Sequence, residues 1–312
     1  MTLRTRRQFF TPARRATGVE AVLEREAADV TPTQAVYGYF THQPPRIDSA
    51  YWSITVGGLV RYPLTLSYND VLAMPAIDLP CTMVCASNPP GGERIAHVRW
   101  RGVPLRSILK ELDLHPNATH ARLQAAGGHV TGLSLPQLTN GVLAYAMNNE
   151  ILPVAQGFPA RLIVPGLYDH KQPRWIERVD LTDQPAVGSW ERRGWSADGS
   201  VQTTAGILSP RHRERVGGVV TFDGYAFAGD QAITTIEVSV DDGAWMPVPF
   251  TQPTTIGWAR WRIDWKAAMP GDYRVRVRAT DDGGFTQGEL PIAPFPNGSS
   301  AIHSIVVRVT DI

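Results

Sequence analysis

The chain has 312 residues, 43% hydrophobic and 19% charged, with 30 Lys and Arg against 29 Asp and Glu. That length accommodates about two domains, and the balance argues against a disordered chain, a bilayer-spanning apolar run or bulk attraction to nucleic acid. Two cysteines, Cys81 and Cys85, exclude a disulfide-dense scaffold and a four-cysteine zinc site. The 28 Gly, 25 Pro and 9 Trp point to a β-rich protein with long loops.

Residues 1–34 read as a basic N-terminal arm carrying Arg4, Arg6, Arg7, Arg14 and Arg15, leading into a short helix over residues 18–28. Thr5 to Phe10 resembles a twin-arginine export signal, but Thr11 to Val30 supplies Pro12 and several charges where an apolar stretch is needed. A cytoplasmic location is the expectation, with periplasmic export left open.

Residues 35–185 have a mixed α/β texture. Tyr51 to Val56 alternates like a strand and stops at Gly57-Gly58. Leu66 to Asp70 opens a short helix, with Ser67 as its N-cap and Asp70 at N3. Val103 to Leu109 has helical spacing, with Pro104 in a first turn. Leu162 to Val164 is a short apolar run ended by Pro165-Gly166, as in a buried strand feeding a loop. A boundary falls near 185–198. Beyond it, residues 196–312 present strands without helices: Ile236 to Val240 running into the turn Asp241-Asp242-Gly243, then Trp258 to Trp265, Tyr273 to Ala279 and Ser304 to Val309. That pattern reads as an antiparallel β-sandwich, and the whole chain as α+β. In Tyr273 to Ala279 three arginines, Arg274, Arg276 and Arg278, share one face.

The most informative stretch is Leu79 to Gly92, in which a strand-like run carries Cys85 into a Gly/Pro loop. A continuous strand would put both sulfurs on one face but roughly 13 Å apart, too far for a disulfide or one shared metal. Spacing alone leaves each cysteine either a ligand or a small buried hydrophobe.

Several segments together resemble the sulfite oxidase family of molybdopterin-dependent oxidoreductases. They include Asp48 to Gly58, Val84-Cys85-Ala86-Ser87-Asn88 (beside the family's Cys-Ala-Gly-Asn), Trp100 to Leu105, Leu143 to Asn148, Gly157 to Gly166, Lys171 to Trp175, Gly224 to Asp230 and Val238 to Gly243. The resemblance implies a mixed α/β molybdopterin-binding domain over 35–185 and an immunoglobulin-like dimerisation domain over 196–312. It also implies a molybdenum–molybdopterin cofactor with Cys85 as the protein's one metal ligand. Cofactor contacts are expected from Asn88, Arg161, Lys171, Arg174 and His42, since a pterin phosphate needs cations and amide donors. Cys81 is expected to pack in the core.

Two departures bear on substrate. Asn88 is followed by Pro89-Pro90-Gly91-Gly92-Glu93, so the nearest following arginine is Arg94. His129 stands where the family has a tyrosine beside the metal, and is a candidate catalytic hydrogen-bond donor or proton carrier, or else a turn histidine. The resulting expectation is oxygen-atom transfer on a small, neutral or weakly polar substrate such as a sulfoxide. Cys-x-x-Cys-His is absent, so electrons would pass to or from an external carrier such as a cytochrome. A homodimer with no membrane span and no nucleic-acid partner completes the reading. A sulfite dehydrogenase and a cofactor-free binding module remain the alternatives.

Overall fold

A computed structural model describes residues 30–38, 43–290 and 293–310. The expected 18–28 helix, most of the basic arm, and His42 lie outside them.

Two sheets build the first half. One has the order β2-β1-β10-β5-β6, formed by β1 (Ser53–Gly58), β2 (Leu64–Ser67), β5 (His120–Ala125), β6 (Val130–Ser134) and β10 (Ile176–Thr182). The other has the order β3-β4-β7-β8, formed by β3 (Ile77–Val84), β4 (Ile95–Pro104), β7 (Val142–Met147) and β8 (Glu150–Ile151), with β9 (Arg161–Ile163) also paired to β7. Only β1 and β10 run parallel within the first sheet. Period-two alternation explains the strands: Ile54 and Val56 of β1 are buried in a core shared with Leu123, Leu143, Leu162 and Val179. Gly58 ends β1 at φ 80°, and a Cβ there would lie 2.2 Å from the Leu181 carbonyl oxygen. No L side chain fits that approach.

Among the described residues the α-helices are short: α1 (Tyr68–Ala73), α2 (Leu105–Lys110) and α3 (Leu135–Thr139). Ser67 and Asp70 close the capping box read from the sequence, and Ser134 with Gln137 forms a second one. The first half is therefore less helical than the mixed α/β texture suggested. Val103 and Pro104 finish β4, and Pro104 caps α2 rather than lying inside it. Tyr51 and Trp52 likewise belong to the turn before β1.

The second half packs two sheets face to face. The first, β11-β13-β17-β16, uses β11 (Thr204–Ser209), β13 (Val219–Phe227), β16 (Phe250–Thr251) and β17 (Ala259–Lys266). The second, β12-β19-β18-β14-β15, uses β12 (Arg215–Val216), β14 (Ile233–Val240), β15 (Met246–Pro247), β18 (Gly271–Asp281) and β19 (His303–Val309). Ile207, Phe222 and Trp261 of one sheet meet Ile236, Val277 and Val307 of the other. After β14, Asp241 and Asp242 sit at φ 49° and 59°, the pair of left-handed residues that a tight hairpin turn demands.

The two halves meet at the end of β3. Val84, Ala86, Ile95 and Tyr168 share one buried cluster with Tyr225, Phe227 and Trp258. The Trp258 amide donates to Thr82 Oγ1 at 2.9 Å, and the Thr82 amide donates to the Ile256 carbonyl at 2.9 Å. The Thr82 hydroxyl also shares a hydrogen bond of 3.0 Å with His97 Nδ1, and the His97 ring stacks on Trp258. These contacts fix the strand end that carries Cys85.

Candidate active site

β3 ends at Val84, so Cys85 begins a loop instead of continuing the strand. Cys81 stays in the β3 core, and Cys85 faces a cavity. Both are free thiols. The loop is held locally. The Cys85 amide donates to the Arg94 carbonyl at 3.0 Å, the Asn88 amide to the Cys85 carbonyl at 2.9 Å, and the Arg94 amide to Asn88 Oδ1 at 2.8 Å. Across from it, the His303 ring packs on Gly91, where a Cβ would come within 2.3 Å of the ring.

Four further segments complete the wall, one of them the stretch that carries Gln43 and Pro45. The turn between β5 and β6 brings Ala126, Gly127 and His129; Gly127 and Gly128 adopt φ near 85° and 84°, which lets the hairpin reverse in so few residues. The loop after β9 brings Asp169, His170, Gln172, Arg174 and Trp175. Gln172 clamps this loop, accepting from the Val164 amide and donating to the Leu167 carbonyl. Finally, Trp190 and Trp195 come from residues 183–203, between β10 and β11.

Burial dominates the electrostatics of this cavity. It pushes the Cys85 thiol up to about 11, Asp169 adds to the rise, and the Ser87 hydroxyl and Arg94 oppose it. Burial also lowers His129 and His170, which favours neutral imidazoles. His129 Nε2 lies 3.0 Å from the His170 carbonyl oxygen. A carbonyl only accepts, so Nε2 carries the proton and Nδ1 is left with its lone pair. Arg174 stands 3.6 Å from Asp169.

The cavity thus brings together Cys85, His129 and Arg174, but not the other described candidates. Lys171 is 2% exposed and turns away: Nζ donates to Glu191 Oε1 at 2.6 Å and to the Gly132 carbonyl at 3.0 Å. Arg161 is fully buried beneath the cavity, donating to the Gln156 and Gln172 carbonyls and stacking on Trp100. Burial and the neighbouring Arg174 lower its guanidinium to about 9. Asn88 is spent on the loop itself.

Several wall residues escaped the sequence reading. Asp169 and His170 immediately precede Lys171, and an Asp-His pair beside a basic loop was the available signal. Trp190 and Trp195 fell in the expected boundary, where two tryptophans in a connecting segment were an unused cue.

The donor set fits a cofactor that brings most of its own ligands. Among the described residues no three His, Cys, Asp or Glu side chains converge to cage a metal. A single cavity thiol suits a metal already held by sulfur donors of an organic ligand. Both ring nitrogens of His170 are buried with no hydrogen-bond partner, as is the Tyr37 hydroxyl, whose ionisation burial, Asp169 and Cys85 all oppose. Buried polar atoms left in this state are satisfied when a polar group binds beside them.

Comparison with known proteins agrees with this chemistry. The family model "Oxidoreductase molybdopterin binding domain" matches residues 41–190. The uncharacterised oxidoreductase YuiH of Bacillus subtilis is 33% identical over 154 residues, covering 49% of this chain and 76% of its own. Human mitochondrial sulfite oxidase is 29% identical over 334 residues, covering 87% of this chain and 61% of its own. NADH nitrate reductase 1 of Oryza sativa is 25% identical over 329 residues, covering 83% of this chain but 36% of its own. The chain therefore spans only part of those two larger enzymes. The crystal structure of the sulfane dehydrogenase SoxCD from Paracoccus pantotrophus shares the fold, with a TM-score of 0.79 at 21% identity over 90% of this chain and 84% of that one. By sequence and by fold, the chain belongs to the sulfite oxidase family of molybdopterin oxidoreductases.

Proposed function

We propose that the chain is a molybdenum enzyme that exchanges an oxygen atom with a small neutral or weakly polar substrate, such as an S- or N-oxide, and trades electrons with an external carrier. The observation that carries this reading is the charge balance of the cavity around Cys85. Arg174 is matched by Asp169, Lys171 is consumed by Glu191, and both histidines are held neutral. Beyond these pairs a compact anion would meet the Arg94 guanidinium, already hydrogen-bonded to Ser87, whereas the walls of Trp175, Trp190 and Trp195 favour an apolar body.

Cys85 would hold the metal, with Arg174 and His170 as polar contacts for the rest of the cofactor. When bound, that group supplies two-electron oxygen-atom exchange. The chain's own residues would do the rest. His129, fixed by its bond to the His170 carbonyl, presents Nδ1 as a proton acceptor. The tryptophans orient the substrate and keep water out. Asn88 and Arg161 hold the scaffold behind the site and Lys171 ties its wall to Glu191.

Sulfite remains a second reading, on one specific observation. Arg94, the nearest arginine after Asn88, places its guanidinium on Ser87, which touches the Cys85 sulfur. An immunoglobulin-like identity for the second half, a homodimer and a cytoplasmic location remain part of this proposal. The arginine face of β18 lends the dimer little support, because Arg276 and Arg278 are matched within the chain by Asp242, Glu289 and Glu237. An anaerobic substrate panel on metal-loaded protein tests the reading. Turnover of sulfoxides or N-oxides above that of sulfite supports it. Efficient sulfite oxidation, with kcat/KM above roughly 10⁴ M⁻¹s⁻¹ and no reduction of S- or N-oxides, overturns it.

A further inference from the structure

We infer that Ser87 and Arg94 form a hydrogen-bond relay onto the Cys85 sulfur, and that this relay sets the electron-donating strength of that sulfur towards the metal. The inference rests on Cys85 being the metal's protein ligand.

The geometry assigns the direction of each bond. Arg94 Nη1 lies 2.7 Å from Ser87 Oγ, and a guanidinium can only donate, so the serine oxygen accepts there. The Ser87 hydroxyl proton is then left for its other neighbour, the Cys85 sulfur at 3.1 Å. A thiolate bound to a metal has no proton to give, so in that state only the serine can donate. The chain runs from a permanent positive charge through a hydroxyl to the ligand sulfur. Each donor polarises the next, which strengthens the last bond beyond that of an isolated serine.

Backbone contacts make the relay a fixed part of the loop. Arg94 accepts from the Cys85 amide at 3.0 Å and donates its own amide to Asn88 Oδ1 at 2.8 Å, so its α-carbon is tied to both ends of the Cys85 turn. Ser87 stands where the resembled Cys-Ala-Gly-Asn motif has glycine. A glycine there offers no hydroxyl, so the relay is a feature of this chain's own residues.

A hydrogen bond to a ligand sulfur withdraws electron density from it. It lowers the energy of the sulfur lone pairs and favours the reduced metal. Ser87 and Arg94 are positioning residues in this sense, acting on the metal through the cysteine.

The test is redox titration and absorption spectroscopy of metal-loaded wild-type, Ser87→Ala, Ser87→Thr and Arg94→Ala proteins, with metal content measured for each and Cys85→Ser as reference. In Ser87→Ala the midpoint potential should fall, by about a tenfold shift in the redox equilibrium, or about 59 mV for a one-electron couple. The sulfur-to-metal charge-transfer band should move to lower energy. Ser87→Thr keeps the hydroxyl and should restore both signals, while Arg94→Ala should shift both in the same direction but less. Unchanged potential and band in fully loaded Ser87→Ala overturn the relay. If Ser87→Ala fails to load metal, Arg94→Ala decides, and an unmoved potential and band there overturn it equally. A metal-loaded Cys85→Ser protein whose absorption spectrum is identical to that of the wild type overturns the ligand assignment instead, and the relay falls with it.

Discussion

The arginine face of β18 and the Cys85 cavity make opposite use of buried polarity. On β18 the guanidinium groups find carboxylates within the chain: Arg276 lies 3.2 Å from Asp242 and 3.1 Å from Glu289, and Arg278 lies 2.8 Å from Glu237. Both also stack on Trp245. In the cavity, by contrast, both buried ring nitrogens of His170 lack a hydrogen-bond partner among the described residues, and the hydroxyl of Tyr37, near Asp169 and Cys85, is left the same way. Leaving such a group unsatisfied costs about 1–3 kcal/mol. At His170 that cost falls on the wall of the cavity that Cys85 faces, where a bound polar group would relieve it. Charges on the β18 face are matched within the chain, whereas the ring of His170 is left open to a ligand on the cavity wall.

The sharpest way to break that contrast lies at Lys171, which sits in a functional-looking loop but is satisfied like a structural residue. Lys171→Ala strands Glu191 in the interior and should cost about 3–5 kcal/mol in chemical denaturation. Lys171→Met combined with Glu191→Leu removes both charges and should recover most of that loss with cofactor still bound. Loss of cofactor in a stably folded double variant would make Lys171 a ligand contact after all.

A second test uses acid. His97, between Thr82 and Trp258 at the joint of the two halves, is held by burial near 4 against an ordinary 6.5. Between those values the unfolded chain binds the proton and the folded one does not, so stability is full above pH 6.5 and declines as pH falls towards 4. The decline from this residue is about 3 kcal/mol. In His97→Asn the slope of stability against pH over that window should flatten. An identical slope would place the acid sensitivity elsewhere.

The smallest effect belongs to the sandwich. Arg278→Ala, at a side chain 26% exposed beside Glu237, should cost about 1 kcal/mol or less and leave cofactor content unchanged. A change in cofactor content would show that the arginine face reaches the site, against the contrast drawn above.

What the sequence disclosed follows a physical rule. Ser67 and Asp70, Asp241 and Asp242, and the passage from β3 into the Cys85 loop were legible because their causes lie within a few residues. Asp169, His170, Trp190 and Trp195 were not, because loops far apart in sequence converge to form the wall. Lys171 was read towards the cofactor because its partner, Glu191, is visible only once the chain folds. Helix content was overread for a related reason: a short apolar run such as Val103 to Leu109 fits both periods, and pairing of β4 with β7 settled its first two residues as strand.

The central claim is that Cys85 holds the metal while Cys81, 1% exposed in the β3 core, only packs. Metal and pterin analysis of wild-type, Cys85→Ser and Cys81→Ser proteins tests it most directly. The account expects about one molybdenum and one pterin per chain in the wild type, nearly the same in Cys81→Ser, and at least about a tenfold loss of bound metal in Cys85→Ser. Equal metal in Cys85→Ser and wild type, or neither metal nor pterin in any of the three, would contradict it.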